Sequence, residues 1–317
     1  MRFLHDVNID FLHKRKIFYI VSATLILVGF TIFLIRGIPL GIDFKGGTEM
    51  LVRFQNPVNI QSVRETMDKV GILGTEIKTM GSDKDILIRT SEQGEGTVVA
   101  DKIKESLKSN LSGNNFEILR TDKVGPKIGK ELRMSAIYAT LFSLIAILIY
   151  LSFRFEFVYA VGAVVALFHD VLITIGMVAI FEMLFPSLNL ELSQSMVAAF
   201  LTLIGFSTND TVIVFDRIRE NIKIHKNEDI LTVMNTSVNT TLSRTIITSG
   251  TVFLTVLILF IFGGEVNRGF AFTFLIGIIT GTYSSVYIAS AMVVDIKYLQ
   301  KKRAASSTGK ATVLKKA

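Results

Sequence analysis

The chain has no cysteine in 317 residues. That excludes a disulfide framework and any thiolate metal site. Its four histidines are scattered and form no HExxH or comparable metal set. No serine or threonine stands in a visible arrangement with a histidine and an acid. The segment Gly125-Pro-Lys-Ile-Gly-Lys130 has the wrong spacing for a phosphate-binding loop and is followed by Glu131 instead of Ser or Thr. Lys45 precedes its glycine pair, the reverse of the order that cradles phosphate. No enzyme, metal or cofactor is expected. Work done by this protein would draw on an ion gradient or on a partner.

What the chain does have is apolar sequence. Half its residues are hydrophobic and its mean hydropathy is +0.51, too apolar for a soluble protein of this size. Six stretches reach the roughly 20 residues that cross a bilayer. They are Ile17–Ile35, Ser135–Phe153, Phe157–Phe181, Gln194–Phe215, Thr245–Phe262 and Phe270–Val294. The first follows Lys14-Arg15-Lys16, is longer than a signal-peptide core and lacks a small-residue cleavage site, so a retained anchor is expected. Positive charge is nearly missing from one side. With the N-terminus inside, the inner segments carry 17 Lys and Arg, against only Arg268 in the two short outer loops. Both termini are therefore expected in the cytoplasm. The net charge of +7 needs no nucleic-acid partner.

The segments divide the chain into a cytoplasmic N-terminus (1–16), a first span (17–35), an external domain with connectors (36–134), five further spans (135–294) and a basic cytoplasmic tail (295–317). The external domain reads as strand Thr48–Phe54, helix Ile60–Val70 capped by Asn59, strands Glu76–Met80 and Asp85–Arg89 around Gly81–Lys84, helix Gly96–Leu111 and strand Phe116–Arg120. That β-α-β-β-α-β order is the ferredoxin-like split unit. The expected fold is an α-helical polytopic membrane protein with six transmembrane helices and one external α+β ferredoxin-like domain between the first two. Asp216–Asp229 reads as an amphipathic helix at the inner surface, and the chain beyond Lys301 as a solvated tail beside anionic lipid. No internal repeat is visible.

Polar residues inside the spans are the functional candidates, because an ionisable group at mid-bilayer costs about 2.5–3.5 kcal/mol. Ser207, Asp210 and Thr211 share one face of the fourth span, and Asn209 adjoins them. Thr241, Arg244, Thr248, Thr251 and Thr255 form a polar stripe on the fifth. If the two faces meet, Asp210 and Arg244 lie at similar depth and form an ion-coupling pair, since burial and a nearby guanidinium act oppositely on a carboxyl. The bland alternatives are a static Asp–Arg fastening and an Arg244 that snorkels outward. In the third span His169 and Asp170 can relay protons or simply fix helix packing. Gly277-Ile-Ile-Thr-Gly281 with Thr282, Ser284 and Ser285 is explained by close packing alone. A carboxylate–guanidinium site serves H⁺ or Na⁺ alike.

Six ordered blocks carry a resemblance: GIDFKGGT (41–48), VGPKIGKEL (124–132), FRFEF (153–157), HDV (169–171), STNDTVIVFDRIREN (207–221) and LSRTIITS (242–249). Together they resemble the SecD/SecF family of bacterial protein-export membrane proteins, within the resistance-nodulation-division superfamily. The resemblance implies an inner-membrane subunit that pairs with a SecD half. It implies work beside the SecYEG channel, often with YajC, on preproteins after the SecA step, using the proton motive force. It also implies that Asp210 and Arg244 belong to an ion pathway. The competing readings are a subunit that only stabilises SecD and a small-molecule or lipid exporter of the same superfamily.

Overall fold

The computed structural model of the protein describes residues 8–37, 40–72, 75–92, 94, 96–188 and 190–314. Residues 1–7 of the N-terminal segment and 315–317 of the tail lie outside them.

Helix α1 (Arg15–Arg36) leads into a short helix α2 (Ile42–Lys45) and then the sheet domain. That domain runs β1 (Gly47–Phe54), α3 (Ile60–Lys69), β2 (Glu76–Met80), β3 (Ser82–Thr90), α4 (Val98–Asn110) and β4 (Phe116–Val124). The strands are antiparallel in the order β2-β3-β1-β4. Alternation along β1 sends Met50, Val52 and Phe54 to one face. There they pack with Ile77, Ile86 and Ile88 against Val63 and Met67 of α3 and Val99, Ile103 and Leu107 of α4. Asn59 caps α3 as the sequence predicts, accepting from the Gln61 N–H at 2.8 Å.

Two expected boundaries of the sheet domain move by three residues or more. Met80 pairs with Ser82, so Gly81 alone, at φ 74°, turns the chain, and β3 begins three residues earlier than predicted. β4 continues past Arg120 to Val124, and Pro126 then starts α5 (Pro126–Arg154) after one linking residue. The second membrane helix is thus joined almost directly to the sheet. The glycine segments interlock at this junction. Gly46 has φ 78°, a Cβ there would lie 3.0 Å from Pro126 Cα, and a Cβ on Gly129 would lie 3.1 Å from the Gly46 nitrogen.

Beyond α5 come α6 (Phe157–Leu184), α7 (Gln194–Ile224), α8 (Ile230–Phe262), α9 (Gly264–Ser284), a π-helical turn (Ser285–Ser290) and α10 (Ala291–Leu314). Among the described residues six helical spans are long and apolar enough to cross a membrane. The third, fourth and sixth are the most buried, and α1, α5 and α8 turn large apolar side chains outward.

The helices outrun their hydropathy signals. Asp216–Asp229 is not a separate surface helix. α7 continues straight to Ile224, burying Phe215, Ile218 and Asn221 against Leu231, Met234 and Ser237 of α8. The Asn221 Nδ2–H donates to Ser237 Oγ at 2.9 Å across this hairpin. The chain past Lys301 continues as helix to Leu314 instead of leaving as coil. Hydropathy registers only the lipid-facing length, whereas packing of α7 on α8 carries that hairpin further.

Arg53 and Asp85 sit directly opposite across β1 and β3 with two hydrogen bonds of 2.7 and 2.8 Å. The Arg53 guanidinium holds the Asp85 carboxyl below its ordinary range. Its contribution to sheet stability is fully present above the ordinary aspartate pKa and is lost as pH falls through the depressed folded value. Amide protection of β1 and β3, corrected for intrinsic exchange, should fall in that acid window, and Asp85→Asn should remove the pH-dependent part.

Candidate functional site

Every buried carboxylate of the helix bundle faces a neighbouring helix. Asp170 on α6 is 1% exposed and Asp210 on α7 is 5% exposed. Asp170 Oδ2 accepts from Ser207 Oγ of α7 at 2.7 Å and from Ser284 Oγ of α9 at 2.8 Å. Its Oδ1 lies 3.0 Å from His169 Nδ1. His169 Nε2 is 3.0 Å from the Tyr283 hydroxyl, which is 3.2 Å from Ser22 Oγ of α1. A continuous polar chain therefore joins α1, α6, α7 and α9. Asp210 Oδ1 accepts from Thr245 Oγ1 of α8 at 2.9 Å, and its Oδ2 from Ser285 Oγ at 3.3 Å.

Two local features let the helices meet here. Gly281 removes the side chain where α9 crosses α7, since a Cβ there would stand 3.0 Å from Ser207 Cβ and 3.6 Å from Asp170 Oδ2. Ser284 and Ser285, adjacent in sequence, then serve the two different carboxylates. The π turn begins at the second of them, and Ser290 Oγ donates to the Ser285 carbonyl at 2.8 Å, five residues back. Such turns recur at functional sites.

The predicted residues divide. Ser207, Asp210, Thr211, His169 and Asp170 are all buried, with Ser207 bridging to Asp170. Thr211 Oγ1 and Ser249 Oγ are buried on α7 and α8 and have no hydrogen-bond partner among the described residues. Asn209 and Thr251 are exposed, and Thr248 is half-buried. No hydrogen bond or ion pair joins Asp210 to Arg244 among the described residues: Asp210 bonds Thr245 and Ser285, and Arg244, itself exposed, acts on the carboxyl through its charge alone. The buried polar row of α8 is Thr241, Thr245 and Ser249: Thr241 belongs to the predicted stripe, whereas Thr245 and Ser249 each follow a predicted member, Arg244 and Thr248, by one residue. Consecutive helical residues point about 100° apart, so anchoring the stripe on the arginine selected the outward face. Spacing alone could have found the Thr241–Thr245–Ser249 row. Ser284 and Ser285 carried no signal beyond composition, because their partners lie on other helices.

Hydroxyls donate to a carboxylate and accept from a carboxylic acid. This site therefore keeps its hydrogen bonds in either protonation state through small rotations. Among the described residues no group of three or more His, Asp or Glu is arranged to hold a metal ion.

Six membrane-length helices enclosing hydroxyl-bonded carboxylates define the class: a multi-pass membrane protein with titratable groups in its interior. Residues 98–299 match the model of the protein export membrane protein SecD/SecF C-terminal family, and residues 31–58 match the SecD/SecF GG motif. The chain is 46% identical over 299 residues to a protein translocase subunit SecF of Rhodothermus marinus, covering 94% of this chain and 96% of that one. It is 43% identical to the SecF of Calditerrivibrio nitroreducens, covering 94% and 97%. A crystal structure of SecDF, a translocon-associated membrane protein from Thermus thermophilus, superposes with a TM-score of 0.82 at 34% identity. That match covers 93% of this chain and 40% of the SecDF chain, so the protein spans about two-fifths of that molecule. The chain belongs to the SecD/SecF family of protein-export membrane proteins, on its SecF side. The glycine pair that interlocks the sheet with α5 falls inside the matched GG motif.

Overpacking the helix crossing should be costly. Gly281→Val is expected to destabilise the purified protein by about 1–3 kcal/mol, read as a lower thermal midpoint in detergent. Gly205→Ala, where a Cβ meets nothing within 4 Å, should leave the midpoint unchanged.

Proposed function

We propose that this chain is the SecF-type half of a bacterial export complex that couples the proton motive force to a late step of preprotein translocation. It sits in the inner membrane with both termini cytoplasmic. The sheet domain, residues 36–134 with its connectors, is ferredoxin-like and lies on the outer side. SecD supplies the second half. The pair works beside the SecYEG channel, with YajC, on preproteins already engaged by SecA.

The observation that carries this is the setting of Asp210. It is buried between α7, α8 and the π turn, and its partners are neutral hydroxyls on two different elements. A fastening would pair it with a cation, whereas a carrier needs a carboxyl that can exist in both states. Protonation keeps these hydrogen bonds but turns them from charge-assisted into weaker neutral ones, which lets α7 shift against α8. Asp170 with His169 is a second station reached through Ser207. Arg244, within electrostatic reach of Asp210, is exposed like Asn209 and Thr251, and these residues with the half-buried Thr248 are presented toward the SecD half. One charge crossing the membrane potential yields about 2.3 kcal/mol per 100 mV, of the order needed to bury the carboxylate.

Asp210→Asn keeps the shape and removes the titration. In cells lacking the wild-type copy, the gradient-dependent part of export should disappear while the complex with SecD still assembles. Undiminished export by this variant would mean the subunit acts only as a scaffold.

A further inference from the structure

The sheet domain touches the helix bundle in a place where no covalent connection exists. The chain joins the domain to α1 and α5, yet the loop between α6 and α7 is also tied to it. Glu191 of that loop accepts from Lys78 Nζ of β2 at 3.0 Å and is bonded by Arg89 of β3. Arg89 Nε also donates to Glu49 of β1 at 3.0 Å, and Glu49 accepts from Arg120 of β4 at 2.6 Å. Every strand of the sheet thus enters a single charge network that ends on Glu191. Backbone contacts run beside it. Leu40 and Leu192 form a parallel bridge, Gly41 N–H donates to the Leu192 carbonyl at 2.9 Å, and Asp43 Oδ2 accepts from the first amide of α7, Gln194, at 2.8 Å.

We infer that Glu191 is a positioning residue that locks the sheet domain to the start of α7, so that movement of α7 reaches the domain through this joint. The inference rests on the proposed ion-coupled shift of α7. The geometry suits rigid transmission. α7 is unbroken from Gln194 to Asp210, about 24 Å at 1.5 Å per residue, so a tilt at the carboxylate appears at Glu191. Glu49, Arg89 and Glu191 are 6%, 15% and 11% exposed at their side chains, and removing one partner leaves buried charge uncompensated. A cavity of about 350 Å³ beside them, lined by Asp43, Glu49, Arg89, Arg120 and Glu191, gives the network contact with solvent. Burial pulls the Glu76 carboxyl upward, but Lys78 and Arg89 outweigh it and hold it below the ordinary carboxylate range. That part of the joint keeps its charge as the surroundings acidify, as a fixed link requires.

The absence of native cysteine makes the test clean. Glu191→Gln preserves shape and removes charge, and Glu191→Ala removes both. In the full chain assembled with its partner, both should slow gradient-dependent export several-fold. In each, the distance distribution between spin labels at Lys108→Cys and Gln194→Cys should broaden. Leu40 and Leu192, being bridge neighbours, can be replaced by a cysteine pair within disulfide reach. In the Glu191→Ala background the oxidised staple should restore export, and reductant should abolish the rescue. In the otherwise wild-type chain the staple should be harmless. Normal export with narrow distances in both Glu191 variants, failure of the staple to rescue, or loss of export in the stapled wild type would each overturn the joint. If Asp210→Asn is defective while the Glu191 variants are normal, only the joint falls. If Asp210→Asn is silent while the labels still broaden, the joint stands and the ion-coupled shift falls.

Discussion

A carboxylate buried among membrane helices must find its hydrogen-bond donors on other helices, and in this protein that requirement organises the bundle. Asp170 and Asp210 each draw donors from two neighbouring elements, and all of those donors are hydroxyls. Meeting both demands brings α6, α7, α8 and α9 to one level. It needs a glycine where α9 crosses α7 and a widened turn where two successive serines must point to two different acids. An apolar interior would pack as tightly without specifying which helix faces which. Here the hydroxyl pairings set the rotation of each helix about its own axis.

The sheet domain obeys a different constraint. Its hydrophobic core lies on one face of the sheet under α3 and α4, and the opposite face carries Glu49, Arg89 and Arg120. Where this charged face is buried against the bundle it needs partners of opposite charge, and the α6–α7 loop supplies Glu191. The domain is anchored to the bundle three times: by the interlocked glycine segments at α5, by the connector from α1, and by this ionic contact. A domain tethered by its connectors alone would be free to swing. This one is held in a defined orientation over the first turn of α7.

The outer surfaces of α1, α5 and α8 remain strongly apolar. Phe142, Phe153, Ile258 and Phe262 are among the exposed side chains. This surface lies at the depth of lipid, and a solved relative more than twice as long shows that the same architecture can be one part of a larger membrane protein. Arg244 and Thr251 of α8 are exposed, and the charge of Arg244 still reaches Asp210.

Much of this was written in local sequence. Six apolar runs specified six membrane helices, because the bilayer imposes a length that no soluble core demands. Alternation and 3.6-residue spacing located four strands and two helices between the first two spans, since one-sided burial stamps its period on the chain. Ser207, Asp210 and Asp170 stood out because buried acids in lipid are expensive. Tertiary structure alone decided their partners. Thr245 rather than Arg244 faces Asp210, because a long cation can reach the surface while a short hydroxyl cannot. Ser284 and Ser285 gain their meaning only from two acids more than seventy residues away in the chain. Glu191 sits in a loop and gains its partners, Lys78 and Arg89, only from the sheet folded over it. Period and hydropathy are properties of neighbours in sequence, whereas a hydrogen bond between helices depends on rotations that no single segment encodes.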